Sequence, residues 1–158
     1  MAIFSRKSLG RLNSCHSDLI QIFEEVVIGF DCTIIEGHRP EELQNKYYND
    51  GKSKLKYPFG RHNAIPSNAV DVAPWPIDWK DRDRFHYFGG YVMGVAYRLL
   101  NEGVIKNRLR FGGDWNRDNN LKNNKFDDLV HFELYPLKGK KEILQGIQGY
   151  RAEYKGRR

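Results

Sequence analysis

The chain has 158 residues, 40% of them hydrophobic and 29% charged, with a formal charge of +6. This length suits one domain with one core, and the balance is that of an ordinary globular protein. No apolar run approaches the roughly 18 residues of a membrane span, so stable membrane insertion is excluded by composition. Two cysteines, Cys15 and Cys32, are too few for a disulfide framework and lack the close pairing of a zinc ribbon or redox motif. Free buried thiols are the expectation, with a single Cys15–Cys32 bridge left open.

In chain order, residues 1–7 carry basic side chains but no apolar run or cleavage site, so no signal peptide is expected and the chain should stay in the cytoplasm that makes it. Residues 14–30 place Leu19, Ile22, Phe23, Val26 and Val27 at helical spacing, with Ser14 or Ser17 to cap and Gly29 to stop. Cys32–Ile35 is β-branched and reads as a buried strand, running into Glu36-Gly37-His38-Arg39-Pro40. Pro40 suits a helix start, Glu41–Tyr48 is helical in composition, and Asn49-Asp50-Gly51 is a turn. A basic irregular stretch, 52–58, precedes a polar loop around His62, and Ala69–Ala73 alternates like a strand that Pro74-Trp75-Pro76 ends.

The longest helix begins near 78–83, shows Phe85, Phe88, Val92, Val95, Ala96 and Leu99 on one face, and ends near 101–103. Gly89, Gly90 and Gly94 lower its propensity and predict that another element packs closely there. Leu109–Phe111 and His131–Leu134 read as strands separated by a polar loop over 116–125, and 142–147 as a last short helix. The order predicts an α+β fold: a small, mostly antiparallel sheet with helices against it. Neither a repeat nor a linker divides it, so we expect one domain over 1–150 and a basic tail over 151–158. The tail sets Arg151, Lys155, Arg157 and Arg158 against Glu153, a net +3 and half the excess. Such charge favours anionic partners. Nucleic acid is not among those expected, because no helix carries a basic face.

Chemistry concentrates in His62, Asp71 and His131. Histidine nitrogen and carboxylate oxygen are zinc ligands, and a catalytic zinc keeps three protein ligands. Taken singly, His62 reads better as a loop histidine bonded to a carbonyl, Asp71 as a turn-capping carboxylate and His131 as a satisfied core histidine. Context shifts the balance. Asp71 lies between Val70 and Val72, where an unpaired buried carboxylate is costly. His131 opens an apolar strand, and Asp128 stands three residues before it. His16, His38 and His86 have no partner at useful spacing and are read as structural or exposed; Trp75 and Trp79 are assigned to packing.

These motifs resemble the zinc D,D- and L,D-peptidases of peptidoglycan. That group's first motif runs Ser-x-His-x-x-Gly-x-Ala-x-Asp, and its second sets an acidic residue three positions before a histidine. The segments Gly112-Gly113-Asp114-Trp115 and His131-Phe132-Glu133-Leu134 are most similar to phage endolysins that cut the L-alanyl-D-glutamate bond. The resemblance spans roughly Ile34 to Leu137. It implies the fold shared with hedgehog-type domains and D-Ala-D-Ala peptidases, and one zinc ion on His62, Asp71 and His131. It also implies Asp128 as the acid–base group and Arg39 as a holder of the scissile carbonyl. Glu133 shares the strand face of His131 and either orients that ligand or makes a surface ion pair. Asp114 is read as fixing a nearby loop, Trp115 as a cleft wall or core filler, and Gln44 as facing the cleft.

Four departures stand out. Gly60 replaces the motif serine, Ser67 stands near the usual glycine position, Asp128 is shorter than the glutamate of many relatives, and His62 and Asp71 are nine apart rather than seven, with Pro66 in the longer loop. The implied function is hydrolysis of the peptidoglycan stem peptide as an endolysin held in the host cytoplasm until release. The enzyme is expected as a monomer, its basic surface and tail drawn to anionic envelope polymers. A D-Ala-D-Ala carboxypeptidase or dipeptidase shares the metal motif, and a non-catalytic zinc-containing binding module is the alternative of another class.

Overall fold

The computed structural model describes residues 2–135; the expected helix over 142–147 and the basic tail lie outside them. Four strands form one sheet: β1 (Cys32–Glu36), β2 (Ala69–Pro74), β3 (Arg108–Phe111) and β4 (His131–Tyr135). Their spatial order is β1-β2-β4-β3 and every neighbouring pair is antiparallel. The helices are α1 (Arg6–Leu12), α2 (Ser17–Gly29), α3 (Glu41–Asn49) and α4 (Arg82–Asn101). The α+β architecture is therefore the expected one.

Strand alternation divides the sheet into two chemistries. Ile34, Val70, Val72 and Phe132 point to one face and are fully buried with Leu19, Ile22, Phe23 and Val26 of α2 and Phe88 and Val92 of α4. Phe132 is the hub: its ring meets Phe23 edge-on at 5.5 Å and stacks on Phe111 at 5.1 Å. Truncating so buried an aromatic costs about 3–5 kcal/mol. Asp71, His131 and Glu133 belong to the opposite set of positions, away from this core.

Several local features differ from the sequence reading. Helix α1 was not expected, being short and polar; it is capped by the Ser5 hydroxyl, which accepts from the Ser8 N–H at 3.2 Å. It shields the outer strand, where Arg11 Nη1 donates to the Ile34 carbonyl (2.8 Å) and the Ser8 hydroxyl accepts from the Ile34 N–H (3.2 Å). Helix α2 is capped by neither Ser14 nor Ser17 but by His16, whose Nδ1 accepts from the Asp18 N–H at 3.1 Å. Of the three α4 glycines only Gly89 meets a close neighbour: a Cβ there would lie 2.5 Å from the Phe111 ring, whereas Gly90 and Gly94 face open space. Trp75 and Trp79 are not core residues; they are 53% and 62% exposed, and Trp79 lays one face on Phe85. Cys15 and Cys32 are free and buried.

Candidate metal centre

Backbone pairing assembles the site. Antiparallel register sets Asp71 of β2 directly opposite His131 of β4. On the other side of β2, Ile34 pairs with Val72, but Glu36, not Ile35, pairs with Asp71. The extra residue is a β-bulge that exchanges an apolar side chain for a carboxylate beside Asp71. Glu36, Asp71 and His131 thus lie in one row across three strands. His62 arrives from the loop, on a short 3₁₀ turn over Arg61–Asn63. That loop is anchored at Ser67, whose N–H donates to the Ser14 carbonyl (2.9 Å) and whose carbonyl accepts from the His16 N–H (2.8 Å). Within the longer His62–Asp71 loop, Ile65 and Pro66 are exposed.

Three ligand atoms converge. His62 Nε2 lies 3.3 Å from His131 Nδ1, and Asp71 Oδ1 lies 3.2 Å from the first and 3.0 Å from the second. The opposite ring nitrogens settle the tautomers. His62 Nδ1 is 2.7 Å from the Gly37 carbonyl, which only accepts, so this nitrogen carries hydrogen and Nε2 bears the lone pair. His131 Nε2 is 3.0 Å from Glu133 Oε2, so in the neutral ring Nε2 donates and Nδ1 bears the lone pair. Two lone pairs and a carboxylate then face one another, an arrangement that only a cation relieves. Ligands held about 2.0–2.1 Å from a tetrahedral zinc stand about 3.3 Å apart, and the observed separations match. The group His62, Asp71 and His131 fits a metal ion.

The electrostatics agree. Burial tends to raise the Asp71 carboxyl, but hydrogen bonds from His131 and His62 outweigh it and hold it well below the usual carboxylate range. Burial likewise tends to lower His131, yet its bonds to Asp71 and Glu133 push it up to about 9. Glu133 is held down to about 2 against burial by His131 and Arg110.

Around these ligands the structure places the remaining predicted residues. Glu133 is buried, grips His131 with one oxygen and Arg110 with the other. Arg39 binds Glu36 through Nε (2.9 Å) and Nη2, Gln44 through Nη1 (3.1 Å), and lies 3.7 Å from Asp71 Oδ2. Gln44 does not face an open cleft: it is fully buried, accepting from Arg39 and Asn63 and donating to Ser53 and the Leu55 carbonyl. Trp115 lies against His131 with ring centroids 5.5 Å apart and is stacked outside by Phe126. Asp114 fixes its loop by accepting from the Asp118 and Asn119 N–H groups (3.2 and 3.0 Å).

Asp128 is half-buried, and its carboxyl is raised by burial and by the charge of Asp71. Its backbone is pinned between strands: Asp128 N donates to the Gly112 carbonyl (2.9 Å) and His131 N to the Asp128 carbonyl (3.1 Å). A Cβ at Gly112 would clash with that Asp128 carbonyl, so only glycine permits the approach. Sequence reasoning missed Glu36, Arg61 and Arg110. Glu36 became relevant only through the bulge, and Arg110 through its register opposite Glu133.

The sheet thus carries, on the face opposite α2 and α4, a His-Asp-His group that could hold a metal, as a metallopeptidase-like fold would. The solved L-Ala D-Glu endopeptidase ChiX of Serratia marcescens shares the fold, with a TM-score of 0.62 over 85% of this chain and 91% of that one, at 22% identity. At that identity the likeness carries the fold alone. The sequence matches the family described as phage L-alanyl-D-glutamate peptidase over residues 1–135, and the chain belongs to that family. No curated protein matches significantly.

Proposed function

We propose that this chain hydrolyses the L-Ala–D-Glu bond of the peptidoglycan stem as a phage endolysin, using one zinc ion on His62, Asp71 and His131. The observation that carries the reading is the meeting of three ligand atoms, His62 Nε2, His131 Nδ1 and Asp71 Oδ1, at 3.0–3.3 Å. Zinc bound there would bring the pKa of water toward neutrality and polarise the scissile carbonyl. Asp128 takes the proton of the attacking water and passes it to the leaving D-glutamyl amine. Its half-burial beside Asp71 favours this exchange, because the carboxyl is raised toward the working pH. Glu133 holds the His131 ring in one tautomer and orientation.

Arg39 takes a narrower part than the family pattern implies. Of its five N–H donors, two bind Glu36 and one binds Gln44, which leaves one hydrogen on Nη1 and one on Nη2, the latter nitrogen 3.7 Å from Asp71 Oδ2. Its approach to the centre is the long ion pair with Asp71. Trp115 walls the site and Asp114 braces the adjoining loop.

We assign the net charge of +6, including the tail over 151–158, to attraction toward anionic envelope polymers, which salt would screen. The enzyme acts as a monomer, one domain over 1–150, stored in the host cytoplasm until release. No helix among the described residues is long and apolar enough to cross a membrane. Digestion of purified peptidoglycan, with mass spectrometry of the new ends, tests the bond. New D-glutamate amino termini support the reading, and released D-alanine supports a carboxypeptidase instead. A zinc-loaded protein that yields no product is a binding module.

A further inference from the structure

A glutamate whose amine is acylated by L-alanine, and one of whose carboxyls continues the stem, keeps its second carboxyl. In the cleavage proposed above this group sits on the leaving residue, a few bonds from the scissile nitrogen. It must enter a site that already holds the carboxyls of Asp71, Asp128 and Glu133, so a substrate carboxylate needs a cation not already committed. Three arginines touch the centre. Arg39 is spent on a two-pronged pair with Glu36 and a bond to Gln44. Arg110 is bound to Glu133 and lies over the Trp115 ring at 5.2 Å.

Arg61 differs. Its side chain is 47% exposed, and its Nε approaches Glu133 Oε1 only to 3.6 Å, beyond hydrogen-bond length. Neither of its Nη groups has a hydrogen-bond partner among the described residues, so the two-pronged end of the guanidinium is free. Its base is nonetheless fixed: it precedes His62 in the 3₁₀ turn, and its carbonyl accepts from the Asn68 N–H at 3.2 Å. A rigid base with an uncommitted planar fork is the arrangement that takes a carboxylate through two parallel hydrogen bonds. Lys54, the cation above Phe126 at 5.2 Å, offers only a point charge.

We propose that Arg61 binds the free carboxylate of the leaving glutamate and makes the enzyme prefer the acid over the amide at that position, an assignment that rests on the L-Ala–D-Glu cleavage proposed above. The test uses two synthetic stem peptides that contain the L-Ala–D-Glu bond and differ only in whether the free glutamate carboxyl is an acid or an amide. Wild type, Arg61→Gln and Arg61→Lys are compared for kcat, KM and zinc content. Wild type is expected to favour the acid. Arg61→Gln should lose roughly ten- to a hundredfold in kcat/KM on the acid, chiefly through KM, with a markedly smaller loss on the amide and the zinc content of wild type. Arg61→Lys should fall between, since it keeps the charge and lacks the fork. An Arg61→Gln enzyme that slows on both peptides alike, or on neither, overturns the assignment. Wild type that cuts neither peptide defeats the proposed bond and this assignment together, an outcome distinct from the first.

Discussion

Asp71 and His131 stand opposite each other on β2 and β4, with Asp71 Oδ1 3.0 Å from His131 Nδ1. Two ligands of the centre are thus positioned by main-chain pairing, and His62 is the one delivered by a loop. The loop member is in turn held at its far nitrogen by the Gly37 carbonyl just beyond β1.

Loss of either imidazole should empty the centre. His62→Ala and His131→Ala are each expected to copurify with less than one-tenth of the zinc of wild type, measured by elemental analysis after dialysis. Full zinc occupancy in both variants would place the metal elsewhere.

Glu133 should matter to affinity without being a ligand. Removing its carboxylate in Glu133→Ala frees the His131 ring at Nε2 and is expected to weaken zinc binding by about 10- to 100-fold. Competition with a chromogenic chelator reads this directly; unchanged affinity would reduce Glu133 to a partner of Arg110.

Asp128→Ala should retain zinc and lose turnover by about 10²–10⁴-fold. Gly112→Ala is expected to imitate it in part, because the added methyl clashes with the Asp128 carbonyl and shifts the carboxylate. Near-normal hydrolysis by Asp128→Ala would assign the proton transfers to another group.

The glycines of α4 should split. Gly89→Ala drives a methyl into the Phe111 ring and is expected to cost about 1–3 kcal/mol. Gly94→Ala meets nothing and should stabilise by about 0.5–1 kcal/mol through helix propensity alone. Denaturant melts of the two variants give the signs.

Both thiols should be silent in the folded protein. Burial, the largest cause for each, pushes Cys15 and Cys32 up to about 12 from an ordinary 9.0. A folded value above the unfolded one contributes stability that is complete below about pH 9 and is lost as pH rises through 12. A thiol reagent at pH 8 should therefore label neither cysteine until denaturant is added, and rapid native labelling would contradict their burial.

Much of this site was legible in one dimension. Asp71 between two valines and His131 at the head of an apolar strand announced a polar group placed where a polar group is costly. Their strands, the helices behind them and the three ligand positions follow from apolar periodicity and from the motif resemblance. Other parts were not legible, for identifiable reasons. Helix α1 is too short and polar to show a period. The His16 cap uses a ring nitrogen where a hydroxyl was expected. Trp75 and Trp79 read as packing residues, yet they lie beyond the end of β2, more than half exposed, with Trp79 laid on Phe85.

By itself the sequence determined which residues carry chemistry and which strand faces are apolar, since both depend on side-chain type and local spacing. Only the tertiary structure decided who serves whom. The bulge at Ile35 sets Glu36 beside Asp71, and the β3–β4 register sets Arg110 beside Glu133. These pairings commit two of the three arginines and leave Arg61 with a free fork. They arise from register and from one inserted residue, and a slip of one position turns every side chain of the slipped strand to the opposite face.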